Sequence, residues 1–341
     1  MTGPVGTRVS FVVPEGIDDP ALASGGNVFD RHVRDGLAAL GWDVRMLPVG
    51  ADAGGVLSRV PPGALVLVDG LVAGRSPAAI EAEADRLRIV VLAHMVSSAF
   101  PDADPHMVDG ERRALGSARR VIATSEWTRA ELTASDRLPA DRVLVALPGS
   151  DDAPAASGTL TGGSLLCVGV VAPHKGQDVL IEALAALDPD ISWTCAIVGG
   201  LDAFPDYVER VRALAEDADV AQRILLTGAL GAGELDSAYQ HADLVVAPSR
   251  VESYGMAIAD ALRRGIPVVA SRVGGIPQTV AGRAAVLVPP GEPAPLAEAL
   301  QRWIADPRLR ERLTEDARRG RASLPRWSDT AASIAESLAG V

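Results

Sequence analysis

Short apolar runs alternate with longer amphipathic stretches along the whole chain, and this alternation constrains the fold more than any other feature. Six runs come first: RVSFVV (8–13), DVRMLPV (43–49), ALVLVD (64–69), RIVVLA (88–93), RVIAT (120–124) and RVLVAL (142–147). Six more follow: SLLCVGVV (164–171), SWTCAIVG (192–199), RILLTG (223–228), DLVVAP (243–248), PVVAS (267–271) and AAVLVP (284–289). Most of these runs are continuously apolar rather than alternating. A strand of that kind is covered on both faces, as in a parallel sheet sandwiched between helices. Each series therefore predicts a doubly wound α/β unit.

The segment between the series, PGSDDAPAASGTLTGG (148–163), is rich in Gly, Ser, Pro and Ala and carries no periodicity, which marks an interdomain linker. The expected organisation is an N-terminal domain over 1–151 and a C-terminal domain over 152–325. A last helix over 326–341, starting near Trp327, is a candidate to cross back to the first domain. Ligands of open α/β sheets bind beyond the carboxyl ends of the strands. Two such domains facing across a cleft would line it with their strand-to-helix loops.

Charge narrows the partners. The 341 residues carry a formal net charge of −12, which argues against nucleic acid and against an anionic membrane surface. ERRALGSARR (111–120) is a local exception, read as a solvated arginine face. No apolar run approaches the roughly 18 residues of a membrane span, so no stable membrane insertion is expected. The start, MTGPVGTRVSFVVP, lacks the basic and apolar regions of a secretory signal. Cys167 and Cys195 lie inside apolar runs, as expected for thiols in a reducing compartment. A cytoplasmic location follows as the expectation.

Lys175 is the only lysine in the chain; the other 31 basic residues are arginine. It follows a strand, in VGVVAPHKGQDVL (168–180), and is expected to open a helix there. A cation is disfavoured at that end of a helix dipole unless an anion lies between it and the amides. A compact ammonium also fits where the wide guanidinium fork does not. In PSRVESYGMAIADALRRG (248–265), Glu252 lies in a loop, and a helix is expected from around Ser253 to Met256. The amides of Tyr254, Gly255 and Met256 could then cradle a phosphate or sugar oxygen, with Asp260 further along the same helix. In the first domain, Gly25 and Gly26 precede a helix. His94, Asp69, Thr124 and Ser125 stand at strand ends, where they could meet a hydroxyl or take a proton. D-x-D occurs at 102–104, 188–190 and 217–219, in loops or helix ends away from these motifs, and no metal site is expected from it.

Taken together, VGVVAPHKG, IVGG (197–200), ADLVVAPSRVESYGMAIADALRRGIPVVASRVGGIP and a late Trp-containing helix resemble the family-4 glycosyltransferases. GGNVFDRHV and SARRVIATSEWTRAEL are similar to that family's first domain. The resemblance implies a GT-B fold of two Rossmann-like domains. It also implies a retaining enzyme that moves a hexose from a nucleotide sugar, expected to be a UDP sugar, to an acceptor hydroxyl without a cofactor or metal. It implies that Lys175 grips the donor diphosphate, Glu252 contacts the transferred sugar and Asp260 holds the ribose. Tyr254, Gly255 and Met256 would supply amides, His94 would stand near the reacting sugar, and Gly25 and Gly26 would face the phosphates. An arginine common in the family five residues before the lysine is Val170 here, with Arg250, His174 or Arg272 as replacements and Arg250 preferred. A glutamate common after GG-x-P is Gln278. A small-molecule or glycan acceptor is expected over a lipid. The alternatives are a GT-B epimerase or phosphorylase, or a degenerate nucleotide-sugar-binding protein.

Overall fold

The computed structural model describes residues 6–19, 24–134, 138–159, 161–282 and 284–341. Every apolar run becomes a strand: β1 Arg8–Pro14, β2 Asp43–Val49, β3 Leu65–Asp69, β4 Arg88–Ala93, β5 Arg120–Ala123 and β6 Val143–Val145. The second series forms β7 Ser164–Val168, β8 Thr194–Val198, β9 Ile224–Gly228, β10 Leu244–Ala247, β11 Val268–Ser271 and β12 Ala285–Val288. The helices of the first part are α1 Gly25–Ala39, α2 Gly54–Leu57, α3 Gly70–Arg75, α4 Pro77–Glu83, α5 Pro105–Ser117 and α6 Glu126–Thr133. There follow α7 Gln177–Ala185, α8 Pro205–Asp217, α9 Ala232–Gln240, α10 Met256–Arg263, α11 Ile276–Val280, α12 Pro293–Ala305, α13 Pro307–Gly320 and α14 Trp327–Ala339.

The chain divides into two compact units. One holds the described residues up to Asp19, then Gly25–Gly149 and Pro325–Val341; the other holds Ser150–Leu324. Each contains one six-stranded sheet, and every strand pair is parallel. These are two Rossmann-like domains.

The first sheet has the order β2-β1-β3-β4-β5-β6. Its direction of winding reverses between β1 and β3, so the loops after those strands diverge and leave a crevice at the carboxyl edge. All five residues of β3 are buried, as a central parallel strand requires. The last helix, α14, belongs to this unit. Its Ala331 Cβ would lie 2.5 Å from a Cβ placed on Gly36 of α1, so α1 and α14 pack with nothing between them. Trp327 stacks on His32 at 4.0 Å, and the Thr330 hydroxyl donates to the Leu147 carbonyl.

The second sheet has the order β12-β11-β10-β7-β8-β9. Its winding reverses between β7 and β10, the two strands whose loops carry Lys175 and Glu252. The core inside this sheet includes Leu165, Cys167, Cys195, Ile197, Val246 and Val269, with Trp303 packed from α12. Both cysteines are buried free thiols, and burial pushes Cys167 up to about 12, so neither is a ready nucleophile. Among the described residues, no helix is long and apolar enough to cross a membrane. The arginines of the 111–120 stretch are largely engaged locally: Arg112 with Asp109, Arg113 with Glu81, and Arg120 on the Ser337 carbonyl. Two of the D-x-D aspartates serve a cap and a turn. Asp104 caps α5 through the His106 amide, and Asp188 accepts the Asp190 amide.

Candidate active site

In the second unit, Lys175 does not open the helix. It ends a short 3-10 turn, Pro173–Lys175, and α7 starts at Gln177 after Gly176. The break is forced by packing. Gly176 adopts a left-handed conformation (φ +71°), and a Cβ there would lie 2.2 Å from the Pro248 carbonyl oxygen. Only glycine combines that dihedral with that approach. The His174 carbonyl accepts the Arg250 amide at 2.7 Å, a second tie between the loops after β7 and β10. Gln177, fully buried, donates to the Val170 carbonyl at 3.0 Å and so shapes the start of the same loop.

This stitching brings Lys175 Nζ to 2.6 Å from Glu252 Oε2, with the two side chains 22% and 15% exposed. Glu252 thus balances the charge of the lysine within the chain itself. Beneath Glu252, the glycines of VGGIP press on its loop. A Cβ on Gly274 or Gly275 would fall within 1.9 Å of the Glu252 or Ser253 carbonyl oxygen, and the Gly275 amide donates to the Glu252 carbonyl at 2.9 Å. Ser253 and Tyr254 are buried, and the Thr279 hydroxyl holds the Tyr254 carbonyl at 2.5 Å. The helix begins at Met256, at the far end of the expected range, with left-handed Gly255 as its N-cap. The Ile258 and Ala259 amides donate to the Gly255 carbonyl, and the Met256 and Ala257 amides ahead of them make the anion-binding end.

Asp260 lies within α10, half-buried, and its carboxylate forms no ion pair or hydrogen bond among the described residues. Burial pushes it up to about 7, opposed by Arg264 and assisted by Asp151 and Asp236. An unsatisfied acid of this kind suits a ligand's hydroxyls better than it suits the fold.

Arg250 corrects an expectation. Its fork grips Asp178 at 2.8 and 3.0 Å and also donates to the Pro173 carbonyl, so it is committed to the scaffold. Burial works to raise the Asp178 carboxyl, but Arg250 and the Tyr207 hydroxyl hold it below its usual range. His174 does not replace the missing arginine as a cation, because burial and the neighbouring Lys175 push it down to about 4. Arg272, exposed at the end of β11, pairs with no carboxylate among the described residues.

In the first unit, His94 follows β4, and its Nε2 lies 2.9 Å from Asp30 Oδ1 and 3.2 Å from Asp69 Oδ2. Asp69 ends β3 and caps α3, with its Oδ1 accepting the Val72 amide at 2.9 Å. It is buried, so it serves the histidine rather than meeting an acceptor directly. Thr124 and Ser125 are likewise buried. Thr124 donates to the His94 carbonyl at 3.3 Å, and Ser125 caps α6 through the Thr128 amide. These hydroxyls support the site and do not line it. Gly25 and Gly26 begin α1, the helix that carries Asp30.

Asp30 is fully buried, and the motif reading passed over it. The available signal was an acid on the apolar stripe of α1 formed by Phe29, Val33 and Leu37. Asp178 and Gln177 were missed in the same way, as polar residues on a helix that is buried nearly all round. The ligand atoms of Asp30, Asp69 and His94 lie within 4.8 Å of one another, close enough to hold a metal ion or a shared proton.

Two doubly wound parallel sheets, each with polar chemistry at its switch point, define the GT-B class. Sucrose-phosphate synthase from Thermosynechococcus elongatus superposes with a TM-score of 0.81 at 21% identity, over 97% of this chain and 98% of that one. Anabaena HepE in complex with UDP-glucose superposes with a TM-score of 0.79 at 19% identity, over 98% of this chain and 100% of that one. Residues 159–320 match the family model of glycosyl transferases group 1, and this stretch of the chain belongs to that family. D-inositol 3-phosphate glycosyltransferase of Corynebacterium glutamicum is 37% identical over 171 residues, 49% of this chain and 41% of the relative. The GDP-mannose-dependent alpha-(1-6)-phosphatidylinositol monomannoside mannosyltransferase of Mycolicibacterium smegmatis is 32% identical over 185 residues, 52% of this chain and 47% of the relative. The chain thus spans less than half the length of either curated relative.

Proposed function

We propose that this chain is a retaining hexosyltransferase of family 4 that moves a hexose from a UDP sugar to an acceptor hydroxyl without a divalent metal. The observation that carries this reading is the Lys175–Glu252 pair at 2.6 Å beside the open amide end of α10, at the switch point of the second sheet. A bound diphosphate would draw the ammonium from Glu252. The carboxylate released in this way would then accept hydroxyls of the sugar, while Asp260 takes the ribose. As the bond from sugar C1 to the phosphate oxygen breaks, charge develops on the departing diphosphate. Lys175 and the α10 amides stabilise it in place of a metal, by about 3 to 4 kcal/mol for a key group. The acceptor oxygen bonds to C1 on the face being vacated, and its proton goes to the departing phosphate oxygen, which retains the anomeric configuration.

HepE is described with UDP-glucose and the mannosyltransferase as GDP-mannose-dependent. A panel of both nucleotides therefore tests the donor. A small or glycan acceptor is supported by the net charge of −12, which repels an anionic bilayer. The buried free thiols suit a cytoplasmic setting. The experiment is incubation with labelled UDP- and GDP-hexoses and a cell extract, with products identified by mass and anomeric configuration by NMR. Release of nucleoside diphosphate only when acceptor is present supports transfer. An inverted product, or turnover only with added divalent metal, would refute the corresponding part.

One observation favours a second reading. With Arg250 engaged by Asp178, the family arginine at Val170 has no replacement on the adjacent loop, as in a protein that binds nucleotide sugars without turning them over. Donor binding with no product from any acceptor pool would establish that reading.

A further inference from the structure

We propose that the first unit carries a phosphate-binding site of its own, at the amino edge of its sheet, where Arg8, Arg45 and Arg88 surround the Ser10 hydroxyl. The strand order β2-β1-β3-β4 sets four parallel strands side by side. The register puts Arg45 of β2 beside Ser10 of β1, and Arg88 of β4 beside Leu65 of β3. Together with Pro61, these residues line a cavity of about 320 Å³. That volume falls at the lower end of the roughly 300 to 1,000 Å³ of small-ligand sites. All of the lining belongs to one unit. It is not the edge that carries His94. Arg88 opens β4 and His94 follows it, so the two edges stand a strand length apart, about 20 Å at roughly 3.3 Å per residue.

The chain has a formal net charge of −12, so three arginines gathered on one cavity run against its overall field. Arg8 answers one acid, with its Nε 2.6 Å from Asp43 Oδ2 in an exposed pair. Arg88 is aimed by backbone oxygens, its Nε on Gly63 and its Nη1 on Val341, and pairs with no side-chain carboxylate among the described residues. Arg45 has no hydrogen bond or ion pair among them. Ser10 is only 7% exposed, and its hydroxyl also lacks a partner there although it lines the cavity. Neighbouring like charges on a sheet repel, and an unpaired buried hydroxyl is costly. A bound anion relieves both. Three guanidinium charges against the one of Asp43 leave two to balance. A phosphomonoester supplies about 1.5 to 2 negative charges near neutrality; a single carboxylate supplies one. Its oxygens also match the planar guanidinium fork, and one is left to accept from Ser10.

The test is calorimetric titration of the full chain with inorganic phosphate, glycerol 3-phosphate and acetate at low ionic strength. Phosphate and glycerol 3-phosphate should bind saturably with a Kd of about 0.1 to 1 mM, as expected of a few charge-assisted hydrogen bonds at a partly exposed site, and acetate far more weakly. Arg45→Gln and Arg8→Gln alter exposed side chains, so both should fold with an unchanged circular dichroism spectrum. Each should weaken phosphate binding at least about 10-fold. Ser10→Ala should weaken it by about 2- to 10-fold. Lys175→Ala should leave it unchanged, which separates this site from the loops of the second unit. Flotation with phosphatidylcholine vesicles, with and without phosphatidic acid, identifies the source of the phosphoryl group. Capture by phosphatidic acid that Arg45→Gln abolishes assigns a lipid headgroup, and phosphate binding without capture assigns a soluble phosphomonoester. The inference is overturned by no saturation below about 20 mM phosphate, by acetate binding as tightly as phosphate, by an affinity that Arg45→Gln and Arg8→Gln leave intact, or by binding that Lys175→Ala removes.

Discussion

Asp260 offers a sharp test, because the fold and the proposed donor site make opposite demands on it. The perturbation is Asp260→Asn, which keeps the side chain's shape and removes its charge. Burial raises the Asp260 carboxyl from 3.8 to about 7 in the folded chain, with the charges of Arg264 and Arg263 offsetting only part of the cost. The folded state therefore binds this proton more tightly than the unfolded state does. The wild type loses stability as pH rises from about 4 to about 7, and the full cost applies above that range. Each tenfold change in proton affinity is worth about 1.4 kcal/mol, so ionisation at pH 8 costs about 2 to 4 kcal/mol. The asparagine variant should escape this cost. Its melting temperature should match the wild type near pH 4 and exceed it by about 4 to 16 °C at pH 8, at about 2 to 4 °C per kcal/mol for a unit of this size. Thermal melts of both proteins in one buffer series measure this, and calorimetric titration with UDP measures the predicted loss of affinity, at least about 10-fold. A melting difference that is constant with pH would refute the electrostatic argument. Unchanged nucleotide affinity would refute the ribose assignment.

Three further outcomes follow from the same loops. Lys175→Ala should lower transfer at least about 100-fold in a turnover assay, and Lys175→Arg should not restore it, because a wide planar fork cannot take the place of the compact ammonium held against Glu252. Gly176→Ala should destabilise the second unit by at least about 1 to 3 kcal/mol in denaturant melts, since the added carbon meets the Pro248 carbonyl at a left-handed φ. Arg250→Ala should cost about 2 to 3 kcal/mol of stability near neutral pH by stripping the buried Asp178 of its partner. Because Asp178 is held below its usual range, that stabilisation is present above pH 4 and is lost as pH falls through the lowered value, so the two proteins should converge in acid.

The sequence by itself determined the architecture. Strand positions follow from continuous apolar runs, because a strand buried on both faces leaves no polar side to alternate with. The lysine, Glu252, Asp260 and the glycines of the loops could be picked out because they sit in short continuous motifs that follow strand runs. What only the tertiary structure decided is how side chains distant in sequence divide their charges. Arg250 meets Asp178 across 72 residues and His94 meets Asp30 across 64, and neither pairing leaves a periodic mark in the chain. Asp30 reads as one acid on an amphipathic helix until α1 is laid against the end of β4. Ser125 reads as a site hydroxyl until it is found capping α6. Apolar burial is additive along the sequence and can be read from it, whereas the partner of a buried charge depends on which elements the fold brings within about 3 Å.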